Sequence, residues 1–452
     1  MPLRDVERRR VGARKRASAR FVPLSLRRFF NEKGWAAFDG TLATTTMENV
    51  LNGGRGAAVD ATGSEFRLDP ATGRWALIAE GRGSRPTNLE PSGDNVANAT
   101  VDGPDSFCPF CPGSESMTPR VSLIGARLAN GKTLFREAES DAEVDGLRWN
   151  VRVFENKFPM FRPANVVLGA ANEQPSAAFE DDGAAALEAG ALYQTATGLG
   201  KHEVIVDCDR HARGWSDFSD AEIESAFLAF RWRLRALRDS GKYAYSFIFK
   251  NVGSDAGASQ GHSHCQLTAT NFLPPDVRVE VERLIRYERG RKARGEELGF
   301  WDALLNAELA DGSRIVAETE RFVALCPFAS RFPMEVAIWQ RFDGFFEDAD
   351  DATVSELARL SRDLVAALER SRRRFDAKEG AELAHNVVFR NAPSRLDGSL
   401  AEGAGLFRPR WLILPSLAKK AGYEQGSGVD VNPISPETAA ERLRAVWNDA
   451  EI

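Results

Sequence analysis

The chain has few cysteines, no long apolar run and no basic charge balance. Its 452 residues contain five cysteines, and so sparse an odd-numbered set does not make a disulfide framework. The set favours a reducing compartment, so the sequence predicts a cytoplasmic protein. No apolar run approaches the roughly 18 residues that a membrane-spanning helix needs. The net charge is −6, whereas general nucleic-acid binders are basic, so neither a membrane nor a nucleic-acid partner is predicted.

The length predicts two or three structural units of about 100–200 residues each. Residues 1–60 begin with an arginine-rich stretch and are predicted to be a basic, disordered N-terminal extension. Residues 61–275 and 276–452 repeat one order of strand and helix signals. Two pairs of similar short segments support a duplication: Lys157-Phe-Pro-Met160 with Arg331-Phe-Pro-Met334, and Phe249-Lys-Asn251 with Phe389-Arg-Asn391. We therefore predict an α+β fold of two tandem modules, each an antiparallel sheet packed with helices.

Local signals place the main elements within both halves. Ser219 with Glu222, and Thr353 with Glu356, have the capping-box spacing that predicts the start of a helix. Residues 169–199 are mostly Ala, Gly and Glu, and are predicted to be a surface insertion. Alternating or apolar runs predict strands at 66–78 (a pair), 151–154, 202–207, 245–249, 265–269, 314–317, 322–325, 335–339, 386–389 and 411–414.

A histidine pair follows a glycine-rich loop near residue 260. The chain has only five histidines, and His262 and His264 come directly after a loop that contains Gly253 and Gly257. Glycine lets a backbone approach a ligand closely, and the N–H groups of such a loop can cradle phosphate oxygens. Residues two apart in a strand share a face, so His262, His264 and Gln266 are predicted to line one surface. A purely structural pair of buried histidines is the alternative.

The second half contains no equivalent of this pair. Its corresponding strand is entered through Pro409-Arg-Trp411, which has no histidine. Histidine chemistry is therefore predicted for residues 61–275 alone.

Cys108-Pro-Phe-Cys111 is a C-x-x-C knuckle. Two thiolates at this spacing can hold one edge of a tetrahedral Zn²⁺ site, for which His211 and His262 are candidate further ligands. The chain has no second C-x-x-C, which excludes a four-cysteine site. A redox-active pair is the alternative, but no thioredoxin-like βαβ pattern surrounds the knuckle.

Together these motifs resemble those of the galactose-1-phosphate uridylyltransferase family of the histidine-triad superfamily, and they are also similar to those of ADP-glucose phosphorylases. The resemblance covers about residues 65 to 447. The motifs that carry it include Asp69-Pro-x-Thr-Gly-x-Trp75, Arg82-x-x-Arg-Pro86, Cys108-Pro-Phe-Cys-Pro-Gly113, Phe154-Glu-Asn-Lys157, His262-x-His-x-Gln266 and Gly422-Tyr-Glu424.

The resemblance implies a ping-pong reaction in which His264 attacks the α-phosphorus and forms a nucleotidyl-histidine. It implies that Gln266 and Ser259 bind phosphoryl oxygens. The implied zinc ligands are Cys108, Cys111, His211 and His262. The implied substrate-binding residues are Arg82, Arg85, Asn156, Asn251, Gly253 and Glu424. His202 and His385 are predicted to be ordinary polar residues.

Departures from the family pattern leave the substrates open. The motif His-Ser-His-Cys-Gln and the knuckle resemble the phosphorylases, whereas Glu308 to Thr319 resembles the uridylyltransferases. The sequence predicts transfer from a nucleoside diphosphate sugar to a hexose 1-phosphate, with an ADP-glucose phosphorylase that uses phosphate as the alternative. A histidine-triad hydrolase and a non-catalytic nucleotide-binding protein are further alternatives. A homodimer is common in the family, and His385 is the only histidine after His264, which argues against a second, histidine-bound metal site.

Overall fold

The computed structural model describes the core of both halves and combines helices with antiparallel sheets. The predicted N-terminal extension (1–60) and Arg85 lie outside the described residues, so those predictions stay open. The described residues are 64–80, 82, 108–127, 133–137, 149–161, 192–375 and 383–447.

Fourteen strands and six helices can be traced through these described ranges. The strands are β1 (Glu65–Leu68), β2 (Trp75–Ile78), β3 (Val121–Arg127), β4 (Thr133–Glu137), β5 (Val151–Glu155), β6 (Gln194–Thr197), β7 (Gly200–Val206), β8 (Tyr245–Val252), β9 (His264–Thr270), β10 (Ile315–Glu318), β11 (Phe322–Leu325), β12 (Val336–Gln340), β13 (His385–Arg390) and β14 (Arg410–Pro415). The helices are α1 (Asp220–Asp239), α2 (Pro275–Arg294), α3 (Phe300–Asp311), α4 (Asp351–Phe375), α5 (Gly422–Ser427) and α6 (Pro436–Trp447).

Eleven strands form one antiparallel sheet in the order β10-β11-β12-β14-β13-β8-β9-β7-β5-β3-β4. Strands β8 and β13 are neighbours in the middle of this sheet, with Asn251 opposite Asn386. The strands of the two halves therefore belong to one continuous sheet. A separate small sheet has the order β2-β1-β6. The predicted mixture of helices and antiparallel sheet is confirmed. The division into two tandem modules stays a prediction, because one sheet carries both halves.

Helix α1 shows how the sequence produces a packed layer on this sheet. The Ser219 hydroxyl accepts a hydrogen bond from the Glu222 backbone N–H, and the Glu222 carboxylate accepts one from the Ser219 N–H, as the capping box predicted. Phe227 lies on the buried stripe of the helix, and its ring centroid is 4.9 Å from that of Trp411 on β14. Burying one such aromatic side chain contributes roughly 1.5–3 kcal/mol, so this contact ties the two halves into one core.

Two sequence predictions are corrected by the structure. Part of the predicted insertion at 169–199 is β6, which pairs with β1, and residues 169–191 lie outside the described ranges. The predicted box partner Glu356 is also wrong. The cap of α4 is the Asp350 carboxylate, 2.8 Å from the Thr353 N–H, while Glu356 accepts from the backbone N–H of Arg321.

Helices α2 and α3 were not predicted. Helix α2 is mostly charged, and its buried side chains are only four: Val277, Val281, Leu284 and Ile285. So narrow an apolar stripe gives a weak periodic signal. Among the described helices, none combines the length and apolarity that crossing a bilayer requires.

Candidate active site and metal centre

The four predicted metal ligands lie together, although three separate loops contribute them. Cys108 and Cys111 precede β3, His211 follows β7, and His262 lies two residues before β9. One donor atom from each lies within 4.8 Å of all the others. The Cys111 Sγ is 3.2 Å from the His211 Nδ1 and 3.5 Å from the His262 Nδ1, and the Cys108 Sγ is 3.6 Å from the same His262 atom.

These distances suit one tetrahedral ion. Ligands at about 2.0–2.3 Å from a tetrahedral centre lie about 3.3–3.8 Å from one another. The His262 Nε2–H donates to the carbonyl of Cys208 at 3.1 Å, which leaves the Nδ1 lone pair directed at the two thiols. Burial lowers the pKa of His262 to about 4, so the ring is neutral at pH 7 as a metal ligand must be. The cluster can therefore hold a metal ion.

The knuckle that carries the thiols is braced by a buried arginine. Arg152 on β5 has no exposed surface, and its guanidinium donates at 3.0 Å both to the Pro109 carbonyl and to the Thr118 hydroxyl. The Phe110 ring, inside the knuckle, lies edge-on to the His264 ring at 5.2 Å between centroids. The knuckle that carries two of the candidate metal ligands therefore contacts His264 through Phe110.

His264 is the first residue of β9, and its tautomer is set by the backbone. Its Nδ1 lies 2.9 Å from the His262 carbonyl oxygen, which can only accept, so Nδ1 carries the proton. The lone pair of the neutral ring then lies on Nε2. His264 is 8% exposed and so lies in a largely buried setting. A neutral imidazole held in this way has the chemistry of a nucleophile.

A buried ion pair, which sequence reasoning missed, lies beneath the histidine pair. The Lys250 Nζ on β8 is 3.0 Å from the Asp207 Oδ2, 2.7 Å from the Ser263 Oγ and 3.2 Å from the His264 carbonyl oxygen. Burial would raise the pKa of Asp207, but the Lys250 ammonium and a hydrogen bond from Trp215 lower it below its ordinary value. Lys250 therefore donates both to the Ser263 side-chain hydroxyl and to the His264 backbone carbonyl.

The phosphoryl-binding residues of the prediction lie close to His264 in the chain. Gln266 shares the β9 face with His264, and its Oε1 is 3.4 Å from the Asn156 Nδ2. Ser259 is buried in the loop that leads to His262. The structure thus places Gln266 and Asn156 in one hydrogen-bonded group, and the phosphoryl-binding roles stay predictions.

The glycine loop is held by the second half of the chain. The Asn386 Nδ2 on β13 donates to the Asn251 Oδ1 at 2.8 Å and to the Ala256 carbonyl at 2.9 Å. Gly253 has φ +79°, and a Cβ built on it would lie 2.9 Å from the Ala384 Cβ. The loop is therefore fixed from β13, a contact that no local sequence signal indicates.

The two glycines of this loop allow a matched prediction. Gly257 has φ +81° with nothing within 4 Å of a built Cβ, whereas Gly253 is tightly packed. We expect Gly257→Ala to lower the free energy of unfolding by about 1–2 kcal/mol from the left-handed backbone alone. Gly253→Ala should cost clearly more, because the methyl group also displaces Ala384. Urea titration of both variants measures this difference, and equal midpoints would contradict the close approach to Ala384.

The remaining predicted substrate residues lie further from His264 in the chain. The Arg82 Nη1 donates to the Phe158 carbonyl at 2.7 Å, next to Asn156. The Glu424 carboxylate accepts from the Ala421 N–H at 3.0 Å and so caps α5. Lys419 lies 3.8 Å from Asp255 and links this C-terminal segment to the glycine loop. The described contacts of Glu424 are those of a helix cap, and its role toward a hexose stays a prediction.

Comparisons with known proteins agree with these motifs. Residues 140–274 match the family model described as the N-terminal domain of galactose-1-phosphate uridyl transferase. The chain is 27% identical over 395 residues to ADP-glucose phosphorylase of Arabidopsis thaliana, covering 87% of this chain and 96% of the relative. It is 24% identical over 384 residues to galactose-1-phosphate uridylyltransferase of Thermotoga maritima, covering 84% and 98%.

Solved structures show the same fold. A uridylyltransferase structure aligns with a TM-score of 0.57 and 21% identity over 86% of this chain and all of the other. The Arabidopsis thaliana ADP-glucose phosphorylase with bound ADP-glucose aligns with a TM-score of 0.55 and 23% identity over 84% and 98%. At these identities the structural likeness establishes the fold alone.

Proposed function

We propose, since the chain is related to the galactose-1-phosphate uridylyltransferase family, that it moves a nucleoside monophosphate from a nucleoside diphosphate sugar to a hexose 1-phosphate. The family model and the relatives confirm the prediction of a nucleotidyltransferase enzyme. The observation that carries the proposal is the bond from the His264 Nδ1–H to the His262 carbonyl, which leaves the Nε2 atom as a nucleophile.

The reaction has two balanced displacements. The His264 Nε2 attacks the α-phosphorus, a P–N bond forms, and the P–O bond to the leaving sugar phosphate breaks. An oxygen of the hexose 1-phosphate then attacks the same phosphorus and releases the imidazole. The ring carries a positive charge in the intermediate, and the His262 carbonyl at 2.9 Å stabilises that charge without reorganising.

The proposed cofactor is Zn²⁺, held by Cys108, Cys111, His211 and His262. A Cys₂His₂ set at tetrahedral spacing is typical of a closed structural zinc site. When bound, the ion would tie the loops before β3, after β7 and before β9 together. His264 lies outside this set, so its Nε2 stays available for the phosphorus.

Metal content tests the zinc site independently of activity. We expect one Zn²⁺ per chain by elemental mass spectrometry after dialysis. Cys111→Ser should reduce it to well below one, because its thiolate faces both histidine ligands. Cys326→Ala is the matched control, since Cys326 is buried on β11's C-terminal side and outside the cluster, and it should keep one ion. Full zinc retention by Cys111→Ser would refute this ligand set.

The second candidate is an ADP-glucose phosphorylase, which uses inorganic phosphate as the acceptor. It is favoured by the 27% identity to the Arabidopsis thaliana enzyme over nearly the whole relative. The first displacement at His264 would be the same, and only the base, the sugar and the acceptor would differ. The two functions are therefore separated by substrate and not by mechanism.

Intact mass spectrometry after incubation with UDP-glucose or ADP-glucose decides between them. A uridylyl adduct from UDP-glucose that is discharged by galactose 1-phosphate supports the uridylyltransferase. An adenylyl adduct from ADP-glucose that is discharged by phosphate supports the phosphorylase. Release of free nucleoside monophosphate without an acceptor would indicate a hydrolase, and binding with no adduct would indicate a non-catalytic protein.

A further inference from the structure

Gln266 is oriented by a chain of hydrogen bonds that starts at two backbone N–H groups. The Phe158 N–H donates to the Asn156 Oδ1 at 2.8 Å, so the Nδ2 group of that amide must point the other way. The Met160 N–H donates to the His202 Nδ1 at 3.0 Å, so the proton of that neutral ring lies on Nε2. The Asn156 Nδ2 and the His202 Nε2 are therefore both hydrogen-bond donors.

Both donors meet at one oxygen. The His202 Nε2 lies 2.9 Å from the Gln266 Oε1, and the Asn156 Nδ2 lies 3.4 Å from it. A carbonyl oxygen has two lone pairs and can accept both bonds. The opposite orientation of the Gln266 amide would bring its N–H groups against two other donors. The network therefore directs the Gln266 NH₂ group away from His202.

The sheet explains why these groups share one surface. Strand β7 pairs with β9 so that His202 is opposite Thr268 and Val204 is opposite Gln266. Directly opposite side chains lie on the same face, and residues two apart on a strand share that face as well. His202, Gln266 and His264 are consequently on one side of the sheet.

We infer that His202 is a positioning residue that presents the Gln266 amide N–H groups to a phosphoryl oxygen at His264. This inference rests on the proposed function, in which His264 is the nucleophile. His202 is 1% exposed, its Nδ1 accepts from the Met160 N–H and its Nε2–H donates to the Gln266 Oε1, so it can act on the site through Gln266. The sequence prediction of an ordinary polar role for His202 missed this contact.

Two substitutions separate positioning from packing. His202→Leu removes both hydrogen bonds, whereas His202→Gln keeps an N–H donor for Gln266. Losing one donor to a developing charge costs about 10²–10³-fold, and losing only its orientation should cost about 10–100-fold in the single-turnover rate of adduct formation. We expect His202→Gln to recover most of the lost rate.

A double-mutant cycle with Gln266→Met provides a measurement that a merely structural role of His202 would not change. If His202 acts through Gln266, His202→Leu should slow adduct formation less than about twofold once Gln266 is methionine, because interacting residues are not additive. Thr268→Val is the matched control, since Thr268 is opposite His202 and its buried hydroxyl has no hydrogen-bond partner among the described residues. It should leave the wild-type rate almost unchanged and show no coupling to Gln266.

The same cycle is then repeated with the affinities for UMP and AMP measured by calorimetry. It distinguishes failure of the positioning role from failure of the proposed function. If the wild type forms an adduct but the His202 and Gln266 substitutions reduce the rate independently of each other, the positioning role is overturned and the proposed function stands. If no adduct forms but nucleotide affinity shows the coupling, the proposed function fails and the positioning role stands. Absence of coupling in both measurements would overturn the inference.

Discussion

Replacing His264 with alanine should abolish the covalent nucleotide adduct and lower turnover by at least about 10⁴-fold, the order seen when the nucleophile of a covalent enzyme is removed. The reason is chemical, because alanine leaves no lone pair where the Nε2 atom stood. His264 is only 8% exposed, so losing the ring also leaves a cavity and lowers the stability of the fold. Intact mass spectrometry after a single incubation with the sugar nucleotide measures the adduct.

The matched control is another buried histidine. His385 is 1% exposed, and its Nδ1–H donates to the Leu383 carbonyl at 2.8 Å, much as His264 donates to His262. His385→Ala should destabilise the chain and still form the adduct. The adduct itself should be a P–N linkage, which acid cleaves and base preserves. An adduct that persists in His264→Ala would refute the assignment of the nucleophile.

Removing the buried lysine beneath the site should be among the most destabilising changes in the chain. Lys250→Met leaves the Asp207 carboxylate without its ammonium partner in a fully buried position. Breaking one side of such a pair costs about 3–5 kcal/mol, because an uncompensated charge stays buried. The double variant Lys250→Met with Asp207→Asn should recover much of that loss. The urea midpoints of the single and double variants measure both effects.

A second lysine pair on the same sheet provides the comparison. Lys201 lies 3.1 Å from Glu203, but its side chain is partly exposed and Glu203 keeps a second partner in Arg233 at 2.7 Å. Lys201→Met should therefore cost less than about 1 kcal/mol. Similar losses in the Lys201 and Lys250 variants would contradict the special importance of the buried pair.

The pH dependence of the buried pair follows from the directions of the two pKa shifts. The pKa of Asp207 is lowered in the fold, so its contribution is present above its unfolded value of about 3.9 and is lost as pH falls through the folded value. The pKa of Lys250 is raised by the Asp207 charge although burial opposes this, so its contribution is lost only as pH rises above about 10.4. The Lys250→Met penalty should be constant at neutral pH and shrink in acid.

Much of the local structure could be predicted from the sequence. The strands around Val151, His202 and Tyr245 lie where alternating or apolar runs indicate them, and α1 begins at its capping box. Strand β6 was missed because it depends on pairing with β1, and Glu356 does not cap α4 because it accepts from Arg321, 35 residues away, while the neighbouring Asp350 is the cap. Helix α2 was missed because its apolar stripe is narrow.

For the site, the sequence by itself determined the chemically reactive groups: the histidine pair at 262 and 264, the C-x-x-C knuckle and the glycine loop. These motifs are short, so neighbouring residues alone specify them. Only the tertiary structure decided which groups face one another. Lys250 meets Asp207, Asn386 holds Asn251, and His202 orients Gln266 across strands. The physical reason is that strand register brings distant residues to one face, and register is set by the packing of the whole sheet.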